Sequence, residues 1–187
     1  MPWLEIVGNI FTVWCVFLAA RNNKQTWVIG TIGCILFGIM FYGVKLYADA
    51  TLQIFFIITN VIGYWSWKHG SGSKELQISR VKLKGLASIY FPLAVITAIG
   101  YGMILHLFTD ASAPFIDSVV LTFSVVGQFL LMRRKLESWI FWIIVDLVSV
   151  PLFAYKGLYI TSAVYFVFLL NAFYGFWKWQ KEYKAGK

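Results

Sequence analysis

Charge is what this chain of 187 residues has least of: 13% of it is Asp, Glu, Lys or Arg, against 60% apolar residues. Globular domains in water carry about 25% charged residues, so a soluble fold is excluded. Cysteine is almost absent. Cys15 and Cys34 sit inside apolar stretches, at no metal-ligand spacing from His69 or His106, which excludes a disulfide framework and a zinc site and leaves small apolar packing as their role. No GxxxxGK[ST] loop is present to cradle phosphates, so an ATP-driven step is not expected. Nucleophiles and metal ligands do not cluster either, so the chain reads as no enzyme, with neither cofactor nor metal.

What the chain has in abundance is long apolar runs. Seven of them, at about 3–20, 26–43, 50–67, 85–108, 116–132, 139–155 and 160–177, approach the roughly 20 residues a helix needs to cross a bilayer. The expected fold is therefore all-α, a polytopic membrane protein with seven transmembrane helices and no extramembranous domain. The opening MPWLEIVG carries Glu5 and no Lys or Arg, the wrong charge for a signal peptide, so helix 1 is expected to be retained. With seven crossings, fourteen of the sixteen basic residues fall on one side, and only Lys45 and Lys156 on the other. Short basic loops stay in the cytoplasm, which puts the N-terminus outside and the C-terminus inside. Basic loops that face anionic lipid headgroups also account for the net charge of +8 without a nucleic-acid partner.

The phrase GYWSWK at 63–68 returns as GFWKWQ at 175–180. An ungapped offset of 112 aligns 11–68 with 123–180 and matches fourteen of 58 pairs, among them Trp27/Trp139, Gly63/Gly175, Trp65/Trp177 and Trp67/Trp179. This reads as a duplication. Residues 1–67 form a first three-helix repeat, 68–114 a cytoplasmic linker plus helix 4, and 115–187 a second repeat with a basic tail. An odd repeat followed by one extra crossing keeps both copies in the same orientation, the parallel 3+1+3 plan of SWEET-type transporters. Helices 3 and 7 end at the inner headgroups, so Trp65, Trp67, Trp177 and Trp179 are expected to form mainly an interfacial belt.

Ionisable groups inside a bilayer are costly and face a cavity or a partner. Asp146 stands mid-helix in WIFWIIVDLVS, on one face with Trp139, Trp142 and Ser149. A carboxylate beneath two indoles suits a flat organic cation; the competing reading makes Asp146 protonated or bonded to a neighbouring helix, and Trp139 an interface anchor. Helix 3 puts Gln53, Asn60 and Tyr64 on one face, helix 5 carries Asp117, Ser124 and Gln128, and helix 7 offers Tyr165 and Asn171. The amides can contact a ligand or glue helices together, and the residues themselves leave both open. Gly8, Gly38, Gly43, Gly63, Gly127, Pro151 and Gly175 are candidate close-packing or kinking positions.

WLEIVG at 3–8, LYADATLQIFFIITN at 46–60 followed by YWSW, FIDSVVLTFSVVGQFLLMRRKLESW at 115–139 and VSVPLFAYKGLY at 148–159 together resemble the Pnu-type vitamin transporters, over essentially the whole chain. The resemblance implies a homotrimeric facilitator in the inner (plasma) membrane. It would carry an unphosphorylated vitamin down its gradient, with trapping by a cytoplasmic kinase that it does not bind stably. Members of the family take nicotinamide riboside, thiamine or riboflavin. The Trp142 and Asp146 stripe suits the two cations better than neutral riboflavin. Gln53 with Asn60 looks like the nicotinamide riboside members, which makes that vitamin the first expectation and thiamine the alternative. Asp146 departs from members with a neutral Asn there. A purely structural membrane protein is the remaining alternative.

Overall fold

The computed structural model describes residues 2–43, 47–70, 75–108, 113–155, 157 and 159–186. Lys45, Lys74, Lys156 and Lys187 of the charge pattern, and Leu46 and Leu158 of the repeat, lie outside the described residues. Seven helices are described: α1 (Pro2–Ala20), α2 (Gln25–Gly43), α3 (Tyr47–His69), α4 (Leu83–Gly85, continuing through a π-helical stretch at Leu86–Tyr90 into Phe91–Phe108), α5 (Pro114–Met132), α6 (Ser138–Tyr155) and α7 (Tyr159–Ala185). The wide π turn falls just ahead of Pro92, whose ring would collide with the carbonyl four residues back in a regular helix. Among the described residues, four helices are long and apolar enough to cross a membrane: α2, α4 from Ser88 onward, α5 and α6. Helix α7 runs past residue 177, where the apolar run ends, because its tail of Lys178, Lys181, Glu182 and Lys184 continues the helix as polar surface.

Helix α2 packs between α1 and α3, and α6 between α5 and α7, while α4 lies on α5. The two groups of three meet through α1 against α7 and through α3 against α5. The turns between α1 and α2 and between α5 and α6 use the same bonds, 112 residues apart. In the first, Asn22 N–H donates to the Ala19 carbonyl at 2.9 Å and Asn23 N–H to Leu18 at 3.0 Å; in the second, Arg134 donates to Leu131 and Lys135 to Leu130, both at 2.9 Å. Each is a Schellman cap, with its left-handed residue at Asn22 (φ 57°) or Arg134 (φ 51°). Asparagine tolerates that conformation; arginine needs compensation from its surroundings.

The same spacing organises the core. The Trp67 indole N–H donates to the Leu131 carbonyl at 3.0 Å, and that of Trp179 donates to Ala19 at 3.2 Å. Each group of helices therefore sends one indole onto the last turn of the other. Trp27 stands edge-on to Trp67, Trp139 stands edge-on to Trp179, and the Trp67 and Trp179 ring centres lie 5.5 Å apart. The expected tryptophan belt is thus corrected in half of its members. Trp65 and Trp177 are 64% and 57% exposed and face outward, but Trp67 and Trp179 are 0% exposed. Two residues along a helix turn by about 200°, so only one of each pair can face lipid. Trp179→Phe keeps an aromatic ring but removes the fused pyrrole and its N–H, leaving a gap beside Trp67 and Trp139 and the Ala19 carbonyl without its donor. It is expected to cost about 2–4 kcal/mol, read as a lowered thermal midpoint in detergent.

Three connections and the tail of α7 converge at one end. Asn22 donates to Glu182 at 2.6 Å, Lys24 pairs with Glu75 at 2.9 Å, and Ser79 bridges to Lys135 in a short parallel pairing. These residues form the basic end of the molecule.

Candidate functional site

In the half of the molecule away from the basic end, α1, α2, α6 and α7 line an open cavity of about 1300 Å³. Its walls are largely aromatic, with Trp14, Phe37, Phe41, Phe153, Tyr165 and Phe168, and Asn9 and Thr12 supply polar points. Phe153 and Tyr165 pack at 4.9 Å between ring centres, and Tyr165 meets Phe168 at 5.7 Å. Thr12 bonds its own helix, its hydroxyl donating to the Gly8 carbonyl at 3.0 Å. The volume exceeds the roughly 300–1,000 Å³ of ordinary small-molecule sites, so a nucleoside-sized guest fits with room for water.

Of the nine residues singled out from the sequence, Tyr165 alone is among the residues lining this cavity. Asp146 lies outside this lining. Asp146 is 4% exposed and has neither hydrogen bond nor ion pair among the described residues. Asn60 and Gln128 come together across the α3 and α5 interface, the Gln128 amide donating to Asn60 Oδ1 at 3.3 Å while Asn60 Nδ2 approaches Cys34 Sγ at 3.8 Å. Trp142 lies against Gly127, one residue from Gln128. Asn171 donates to the Val16 carbonyl at 3.0 Å, which ties α7 to α1. Gln53 packs on Gly38, and the Tyr64 ring lies 5.9 Å beneath Lys68 Nζ. Trp139 is enclosed between Gly175 and Trp179, and its indole N–H finds no acceptor among the described residues. Of the helix 5 residues, Ser124 spends its hydroxyl on the Val120 carbonyl at 2.6 Å.

The aromatic wall escaped the sequence reading. Phe37 and Phe41 look like ordinary lipid-facing residues in an apolar run, and only the match of Phe41 with Phe153 at the repeat spacing set one pair apart. Cys34 occupies, 112 residues earlier, the place of Asp146, so the acid is particular to the second group of helices.

A bundle of apolar helices, four of them among the described residues long enough to span a bilayer, with an aromatic cavity in one half, is the architecture of a polytopic membrane protein. The chain is a member of the nicotinamide mononucleotide transporter family, whose family model matches residues 2–181. It is 28% identical to the nicotinamide riboside transporter PnuC of Escherichia coli K12, over 96% of this chain and 85% of that protein. It is 24% identical to the riboflavin/roseoflavin transporter RibM of Streptomyces davaonensis, over 95% of this chain and 84% of that one. Its fold is that of a crystal structure of the vitamin B3 transporter PnuC, with a TM-score of 0.75 at 22% identity, covering 99% of this chain and 83% of the other. The chain is a multi-pass protein of the inner membrane.

Proposed function

We propose that the protein carries nicotinamide riboside across the inner membrane by facilitated diffusion, with phosphorylation by a cytoplasmic kinase trapping it inside. The observation that carries this reading is a cavity walled by aromatic rings, Tyr165 among them, in a bundle that also buries the acid Asp146, for which no partner stands among the described residues. Aromatic faces attract a flat pyridinium, and in this reading the Asp146 carboxylate supplies its counter-charge. The Asn60 and Gln128 amides lie outside the cavity lining and bond each other; in this reading they meet ribose hydroxyls or a carboxamide as the guest passes between the two groups of helices. The relatives named for nicotinamide riboside support the same choice. Thiamine, also a flat cation, is the alternative that Asp146 favours; the relative named for riboflavin makes that vitamin the third compound to test.

In this reading the basic end faces the cytoplasm. Residues 1–67 and 115–187 act as two like-oriented three-helix units, joined through 68–114, and rock about the guest to give alternating access. The assembly is a homotrimer. The test is uptake of labelled vitamin into liposomes free of ATP, together with quenching of the nine tryptophans by each vitamin. Saturable uptake and micromolar quenching by nicotinamide riboside alone is the expected result. A response to riboflavin alone, or to none of the three, overturns the assignment.

A further inference from the structure

The basic end is sealed around one guanidinium. Arg134 Nε donates to Asn22 Oδ1 at 2.8 Å and Nη2 to the Asn22 carbonyl at 3.4 Å. Nη1 donates to the Leu76 carbonyl, and the guanidinium carbon stands 4.4 Å above the Trp67 ring. Asn22 in turn donates to Glu182 at 2.6 Å. One side chain therefore touches the α1–α2 turn, the strap that follows α3, and α3 itself, and reaches the tail of α7 through Asn22. Asn22 and Arg134 hold equivalent positions in the two repeated turns, so the bond between them joins the two groups of helices at matching points. These contacts supply the compensation that a left-handed arginine requires.

The strap completes the seal. Leu76 N–H donates to the Trp67 carbonyl at 3.2 Å, Ser79 N–H to the Arg134 carbonyl at 3.0 Å, and Leu136 N–H back to Ser79 at 3.0 Å. Glu137, buried at 2% exposure, accepts from Arg80 Nε at 3.0 Å and from Val81 N–H at 2.8 Å. The strap reaches the first turn as well, where Glu75 pairs with Lys24 at 2.9 Å. One end is thus closed by bonds between the two groups, while the cavity lies in the opposite half. A carrier must part whatever closes its far end before the guest can leave.

We propose that Arg134 is the pin of the inner gate: a positioning residue that, backed by the strap, holds the α1–α2 and α5–α6 turns together, and whose release from Asn22 opens the basic end. This rests on the transporter reading but not on which vitamin is carried.

The test uses the full chain in liposomes without solute, with Cys15 and Cys34 replaced by Ala. A single reporter is placed either at Ala20→Cys, which is 0% exposed beneath the seal, or at Thr161→Cys on the cavity wall. A membrane-impermeant maleimide is applied to the corresponding side. Arg134→Gln is expected to raise labelling at position 20 roughly tenfold, the equilibrium effect of losing one charge-assisted hydrogen bond. The same variant should lower labelling at position 161, because opening one end closes the other. Glu137→Gln, which removes the ion pair with Arg80 and loosens the strap without touching Asn22, should likewise raise labelling at position 20 and lower it at position 161, and decides the matter if Arg134→Gln does not fold. A rise at both positions means general loosening and overturns the proposal; so does no change at either. Because no vitamin is present, a wrong substrate assignment leaves the result intact.

Discussion

Asp146→Asn is expected to lower affinity for nicotinamide riboside by about thirtyfold or more, the effect of removing one partner from a buried charge pair, while a neutral analogue of the vitamin loses far less. The substitution is nearly isosteric, so packing in α6 is kept and the lost quantity is charge. The side chain is buried, and no partner for it exists among the described residues, so no internal salt bridge is broken. What remains is its charge, which in the proposed reading meets the cationic guest. Measured by tryptophan quenching and by liposome uptake, a loss confined to the cationic compounds identifies Asp146 as their counter-ion. Equal loss for a neutral analogue would instead make the acid a structural element. Cys34→Asp, at the equivalent place in the first group of helices, is not expected to restore binding to Asp146→Asn, since Cys34 faces the Asn60 amide.

Gly63→Ala and Gly175→Ala are expected to destabilise the protein by about 1–3 kcal/mol each, the range for overpacking a filled core. A methyl group at either position would stand 2.7 Å from an indole, that of Trp27 for Gly63 and that of Trp139 for Gly175. Neither indole can retreat, since each is held edge-on by Trp67 or Trp179. Because Trp67 and Trp179 also touch each other, the two substitutions share neighbours and the double variant should not be additive. Gly100→Ala is the control. A methyl there meets nothing within 4 Å, so the higher helix propensity of Ala should make it neutral or stabilising by up to about 1 kcal/mol. Thermal midpoints in detergent separate these outcomes; equal behaviour at positions 63, 100 and 175 would refute the packing account.

The glycines show how much of the site could be read without coordinates. GYWSWK and GFWKWQ mark a repeated element, and the spacing of Trp65 and Trp67 puts them on opposite faces of one helix. Which of the two turns inward depends on where the other group of helices stands, and that position is encoded in contacts between residues more than 60 apart, such as Trp67 with Leu131. Asp146 was visible as an acid in an apolar run. Tyr165 was visible as a polar aromatic on the last helix, but not the cavity it lines, because no local pattern says which ring on α7 faces α1 and α2. Arg134 was invisible for the same reason: in MRRKLE it reads as a solvated loop cation, and its burial follows from a strap that folds back from far along the chain.

The amino-acid order alone decided the bilayer as solvent, the helical content and the spacing of 112, since hydropathy and period are local sums over neighbouring residues. Tertiary structure alone decided which indoles became core, which acid lacks a partner and which end is shut, because each is a meeting of side chains from separate helices whose distance no local sum contains.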